Sequence, residues 1–260
     1  MMRMLPLATI ALSAIVGLSG VAKAASYGNF VDPTGSVSYL NVQDVNGLFG
    51  APSVSLDSLD FTPTIYQAQC TFGTPQCPTG TRTTSDILTL DILATSGRQI
   101  DRLQITEGLD YAIQSFDPAG FASVSVLANV FIDIIGVNGQ SVNGINANAP
   151  ILLTPSNSAS VFGLGSQASG VILGNTGVID LQQILLNAGG SGEITRVRVS
   201  FDNTLQAFHQ GAGGQALIRK RDADFVSLTA IGSSINIPEP STAILVMGGL
   251  ALLARRRSSV

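Results

Sequence analysis

Three features of the 260-residue sequence predict an all-β body, an antiparallel β-sandwich of jelly-roll-like form with one short helix and hydrophobic targeting segments at both ends. Apolar residues recur at every second position over several long stretches, and Gly-containing turn pairs separate those stretches. Charged residues make up only 12% of the chain, against about 25% in an average protein. That leaves the polar surface to hydroxyls and amides, and sheets with one dry and one wet face suit such a composition.

The clearest alternation runs through 123–134. Val124, Val126, Ala128, Val130, Ile132 and Ile134 share one face, while Ser123, Ser125, Asn129 and Asp133 share the other. Leu127 and Phe131 interrupt the polar side and point to a strand covered on both faces. In the stretch from Arg196 to Phe201, Val197, Val199 and Phe201 face inward and both arginines face solvent. Leu88, Leu90 and Ile92 repeat the pattern, as do Val226, Leu228 and Ala230. Further strands are expected over 37–42, 54–61, 100–106, 171–173 and 216–220.

Asn46-Gly47, Asp117-Pro118, Asn138-Gly139, Asn143-Gly144 and Gly213-Gly214 punctuate these strands, and Asn-Gly pairs accept the positive φ that tight hairpins require. Val178, Leu181, Gln182 and Leu185 recur at helical spacing, with Asp180 at the favourable end and Gly189-Gly190 beyond the last turn. A helix of two or three turns fits there, and a strand is the alternative. The stretch 136–170, rich in Asn, Gly and Ser, is the weakest for regular structure and reads as a long loop or a pair of short edge strands.

The two ends differ from the body, 25–234. Arg3 precedes an apolar run from Leu5 to Val21, and Ala22-Lys23-Ala24-Ala25 supplies small residues around a cleavage point between Ala24 and Ala25. Residues 1–24 therefore read as a signal peptide for the export machinery and signal peptidase, with a permanent anchor as the alternative. In the tail, 235–260, Pro238, Glu239 and Pro240 precede an uncharged stretch of about 14 residues, short of the roughly 20 a spanning helix needs, and then Arg255, Arg256 and Arg257. Those arginines would stay cytoplasmic by the positive-inside rule, with the apolar stretch as a short transmembrane helix.

This order of Pro-Glu-Pro, short apolar segment and terminal arginines resembles the PEP-CTERM sorting signal, over about 25 residues. The resemblance implies an exosortase substrate of a Gram-negative bacterium that makes exopolysaccharide, with Pro238, Glu239 and Pro240 as recognition residues and the outer surface or matrix of a biofilm as destination. Around the body, the stretch from Glu193 to Ala207 resembles a strand, an Asp-Asn-Thr-Leu turn and a second strand that recur beside such tails, and 216–222 resembles the partner strand.

Charge and motifs exclude much. Of the 13 basic residues, Arg3, Lys23, Arg255, Arg256 and Arg257 lie at the ends; without them and Glu239 the body holds 8 basic against 16 acidic residues. So acidic a body repels phosphate backbones, which excludes nucleic acid as a partner. Cys70 and Cys77, the two cysteines, are expected to form a disulfide that staples a short loop. His209 stands alone, with neither a His-Glu-x-x-His motif nor a Gly-x-Ser-x-Gly elbow to give it a role. Gly163-Leu164-Gly165 lacks the dinucleotide fingerprint, so no cofactor is expected. Asp202 with Asn203, Asp222 and Asp224 are weak calcium candidates without a full loop signature. Glu107 and Glu193, or Asp91, Asp101 and Asp110, could form a hydrolase's carboxyl pair only if folding set them face to face.

The leading expectation is an exported, non-enzymatic surface or matrix protein. The second is a carbohydrate-binding module that contacts exopolysaccharide through amides, carboxylates and Tyr27, Tyr39, Tyr66 and Tyr111. A secreted hydrolase is the third.

Overall fold

The computed structural model describes residues 24–75, 77, 80–221 and 227–234, the last of these through the backbone. Along the chain the strands are β1 (Ala25–Val31), β2 (Val37–Asp44), β3 (Pro52–Ser55), β4 (Ser58–Phe61), β5 (Gln67–Cys70), β6 (Thr81–Ala94), β7 (Arg98–Ser115) and β8 (Phe121–Val137). There follow β9 (Gln140–Pro150), β10 (Leu152–Thr154), β11 (Ser158–Phe162), β12 (Ser166–Asn175), β13 (Ile179–Asp180), helix α1 (Leu181–Asn187), β14 (Ile194–Gln210), β15 (Gly214–Lys220) and β16 (Ser227–Ser234).

Two antiparallel sheets result. One runs β1-β2-β6-β14-β8-β11, with β9 also on β8; the other runs β10-β12-β7-β16-β4-β3, with β13 and β15 also on β7 and β5 on β15. The long strands β6, β7, β8, β12, β14 and β15 belong to the two sheets in turn, apart from the β8–β9 hairpin and β11, so the chain repeatedly crosses the sandwich in a broadly jelly-roll-like manner.

Alternation explains the core. On β14 the buried row is Val197, Val199, Phe201, Asn203, Leu205, Ala207 and His209; on β8 it is Val124, Val126, Ala128, Val130, Ile132 and Ile134. These rows meet β5, β7 and β15 of the other sheet. Phe49 stands at the centre of an aromatic knot, with ring centroids 5.9 Å from Phe61, 5.3 Å from Tyr66 and 5.6 Å from Phe201. Each fully buried side chain of this size contributes roughly 1.5–3 kcal/mol.

Several local expectations are met. Asn138 and Gly139 both take positive φ and join Val137 to Gln140 in a two-residue hairpin. Helix α1 begins at Asp180, whose carboxylate accepts from the Gln183 amide at 2.9 Å, and buries Leu181 and Leu185 one turn apart. Others are corrected. Asp202, Asn203, Thr204 and Leu205 form no turn: β14 passes straight through them, because the parity of inward residues continues unbroken from Val197 to His209. The stretch 54–61 is a hairpin of β3 and β4, turned where Leu56 adopts positive φ. Asn143-Gly144 lies within β9, and 136–170 is largely paired because β8 and β7 offer it long edges. Leu127 and Phe131 are exposed, so β8 is covered on one face only.

The expected transmembrane helix has no counterpart among the described residues. Among the described residues no helix is long and apolar enough to cross a membrane; the helix present, α1, has seven residues. The leader, the apolar tail, Pro238, Glu239, Pro240, Arg255, Arg256 and Arg257 lie outside the described residues. Ala24 is the first residue described, and β1 starts at Ala25.

One polar island interrupts the apolar gap. Lys220 of β15 and Glu107 of β7 form an ion pair whose side chains are both fully buried, and Asn203 of β14 donates to the same Glu107 oxygen at 2.7 Å. The ammonium lies 5.1–5.7 Å from the ring centroids of Phe201, Tyr66 and Phe49.

Cys70 ends β5 and is bonded to Cys77. The loop is short, so the bond restricts few unfolded conformations, and loop entropy assigns it about 2.5 kcal/mol. The double substitution Cys70→Ser, Cys77→Ser should lower unfolding free energy by about that amount in denaturant titration, with the far-ultraviolet spectrum unchanged.

Candidate functional site

The outward face of the seven-stranded sheet carries side chains that the core does not use. Register sets them in rows across the strands. One row reads Asp91 on β6, Arg198 on β14, Asp133 on β8 and Asn146 on β9; the next reads Thr89, Ser200, Phe131 and Asn148. Outward parity is what brings them together, since each is an odd or even partner of a buried neighbour.

Between β14, β8 and β9 these rows enclose a shallow groove of about 520 Å³, lined by Phe131, Ile132, Asp133, Asn146, Ala147, Asn148, Arg198 and Ser200. Phe131 is 48% exposed, an aromatic ring in a groove shared with two amides, a hydroxyl, the Asp133 carboxylate and the Arg198 guanidinium. Asp133 reaches under β9 because residue 144 is glycine: a Cβ there would fall 2.1 Å from Oδ1 of Asp133. That oxygen is buried and has no hydrogen-bond partner.

Asp91 organises the first row. It accepts from Arg196 Nη2 at 2.5 Å and from Arg198 Nε at 2.8 Å, while Asn41 donates to it at 3.4 Å. Burial opposes its ionisation, but the hydrogen bonds from Arg198 and then Arg196 outweigh that and hold its carboxyl below the usual range. Both arginines face outward, yet each is fixed by this carboxylate.

The remaining candidates are scattered. Glu107 is sealed in the core with Lys220, and Glu193 sits just before β14, so they form no carboxyl pair across a cleft. Asp110 lies against Arg219 and Arg221 at 3.6 and 3.4 Å, and Gln99 donates to Asp101 at 2.7 Å. Tyr39 and Tyr66 are buried, which removes them from any glycan contact: Tyr39 donates to the Asp57 carbonyl and Tyr66 to that of Asn203. Tyr27 donates to Asp44 at 3.0 Å, and Tyr111 packs partly against the core. Asp202 lies in mid-strand, Asp222 and Asp224 lie outside the described residues, and among the described residues no group of three metal-ligating side chains occurs. Phe131 was visible in the sequence as an apolar residue on a polar face; Asn146 and Asn148 gave no signal until β9 was paired.

No family model matches the chain, and no curated relative matches it. Among solved structures it is similar to the enzymatically active domain of tailspike protein 4 of bacteriophage CBA120, at 11% identity over 81% of this chain and 20% of that one, with a TM-score of 0.19. It is also similar to the VP2 subviral particle of infectious bursal disease virus, at 13% identity over 86% of this chain and 60% of that one, with a TM-score of 0.16. The chain thus spans about a fifth and three fifths of those two. Both likenesses fall short of a shared topology.

Two substitutions probe the electrostatics. Asp91→Asn should cost about 1–3 kcal/mol near neutral pH. Because its folded carboxyl titrates below the ordinary 3.8, the contribution is present above that value and fades as pH falls through and below it. In denaturant titrations the gap between the two proteins should therefore be full near pH 7 and begin to narrow as pH falls below 3.8. His209 is buried in β14, and burial holds its imidazole below the ordinary 6.5. The unfolded chain takes up a proton that the folded chain refuses, so stability should fall as pH drops through about 6.5, and His209→Gln should flatten that slope.

Proposed function

We propose that the body is a non-enzymatic carbohydrate-binding module that lays a neutral glycan chain across the outer face of its seven-stranded sheet. The observation that supports this is the groove that exposed Phe131 shares with Asn146, Asn148, Ser200, Arg198 and Asp133. A sugar ring has an apolar face and a rim of hydroxyls. An aromatic side chain covers the first, and amides answer the second because each offers both donors and acceptors.

Charge selects among glycans. Arg198 stands between two carboxylates in its row, so the groove offers no unbalanced cation to an acidic chain. The body, with 8 basic against 16 acidic residues, repels polyanions as well. Neutral polysaccharide is the favoured class. The same reading places the module outside the cytoplasm, in keeping with the leader-like first 24 residues and with a disulfide of the kind that persists in oxidising surroundings.

Calorimetric titration with a panel of neutral and acidic soluble polysaccharides checks this. Binding is expected for a neutral member, and Phe131→Ala should weaken it by at least about tenfold, or 1.4 kcal/mol. Absence of binding across the neutral panel, or equal binding by wild type and Phe131→Ala, would overturn the assignment.

A further inference from the structure

The polar island in the core is poorly explained as a static ion pair. Taking an ammonium and a carboxylate out of water costs several kcal/mol each, and a packed apolar pair of the same volume is commonly as stable or more so. Here the compensation is also incomplete: Oε1 of Glu107 and Oδ1 of Asn203 are buried without a hydrogen-bond partner. Buried polar atoms without partners call for an explanation, and a catalytic role is one that the geometry here can be tested against.

The geometry has the parts of one reaction. Oε2 of Glu107 accepts from Nζ of Lys220 and, at 2.7 Å, from Nδ2 of Asn203. Two donors on one carboxylate oxygen lie within about 5 Å of each other. An amine, a carboxamide and a proton carrier touching both nitrogens are thus enclosed together, and each comes from a different strand. Tyr66 fixes two of them from outside: its carbonyl accepts the Lys220 amide at 3.0 Å, and its hydroxyl donates to the Asn203 carbonyl. Across from Glu107 stands Gly174 of β12, where a Cβ would come 2.6 Å from Cγ of Glu107 and displace the carboxylate.

We propose that the folded protein joins Lys220 to Asn203 by an intramolecular isopeptide bond, with Glu107 as the catalytic proton carrier and ammonia as the leaving group. Nζ passes a proton to Oε2 of Glu107, and its lone pair attacks Cγ of Asn203. The Cγ–Nδ2 bond then breaks as Nδ2 takes up the proton that Oε2 carries. One C–N bond forms and one breaks, so nothing is oxidised or reduced. The second proton shed by Nζ stays on Glu107 or leaves with the ammonia as ammonium. Burial favours the first step, since it pulls the Lys220 ammonium below its ordinary value against the attraction of Glu107. It also excludes water, the competing nucleophile, and fixed strands hold the reactants at high effective concentration.

The product would tie β14 of one sheet to β15 of the other across the sandwich. It stands apart from the glycan reading and uses none of the groove residues.

Peptide mapping of the full-length, folded and reduced protein tests it. Trypsin should yield a branched species in which residues 220–221 hang from 199–219, lighter by one ammonia than its parts, with fragmentation placing the branch on Asn203. The branch separates the cross-link from a cyclised asparagine, which loses the same ammonia without joining two peptides. Glu107→Gln should give the same peptides unjoined, and its melting temperature should fall below that of wild type. Recovery of 199–219 and an unmodified Lys220 at their sequence masses from folded wild type would overturn the proposal, whatever the variants do. A branch formed undiminished in Glu107→Gln would overturn the role of Glu107.

Discussion

A polar group of Lys220, Glu107 and Asn203, enclosed in an otherwise dry gap, constrains how the two sheets of this sandwich can sit. Hydrophobic side chains tolerate small displacements, whereas Lys220 is tolerable in the core only while Glu107 stands opposite it. The pair lies between neighbouring strands of one sheet, and Asn203 reaches it from the facing sheet. Relative sliding of the sheets would strand an amide, and a one-residue slip of β14 would turn Asn203 outward and bring Asp202 or Thr204 into the gap. The aromatic rings of Phe49, Tyr66 and Phe201 surround the ammonium with the negative faces of their π systems, a partial substitute for water. The island therefore fixes both register and sheet alignment.

The same parity that fills the gap composes the outer face. Each inward residue of β14, β8 and β9 commits its two neighbours to the exterior, and antiparallel pairing sets those neighbours in rows. With so few charges in the chain, the Asp91-Arg198-Asp133 row is a concentrated feature, and Asp91 is buried beneath the arginines it holds. Phe131, half exposed on this face, lies in the row beside Ser200 and Asn148.

What could be read from the sequence was whatever depends on near neighbours. Parity located the buried rows of β6, β8 and β14; Asp180 and Gly189 bracketed α1; Asn138-Gly139 marked its hairpin. What could not be read depends on partners far along the chain. Asn203 follows Asp202 and precedes Thr204, a composition typical of turns, and only the continuation of the apolar phase to Leu205 and Ala207 argued for a strand. Glu107 and Lys220 are separated by 113 positions, so their pairing had no local signature. Tyr39 and Tyr66 looked like surface aromatics because tyrosine has a polar tip, but in both the hydroxyl finds a backbone carbonyl and the ring is free to be buried.

Strand β14 shows how one segment serves two ends. Its inward residues meet the facing sheet at Phe201 and Asn203, and its outward residues Arg198 and Ser200 line the groove. A sheet separates such tasks by its pleat: adjacent residues on a strand point to opposite faces and share little beyond the backbone. Stiffening the interior therefore holds the outer rows at fixed spacing without touching them. For a surface that recognises an extended ligand by rows of side chains, that spacing is the property to be preserved, because binding to a rigid platform loses less conformational entropy than binding to a loop.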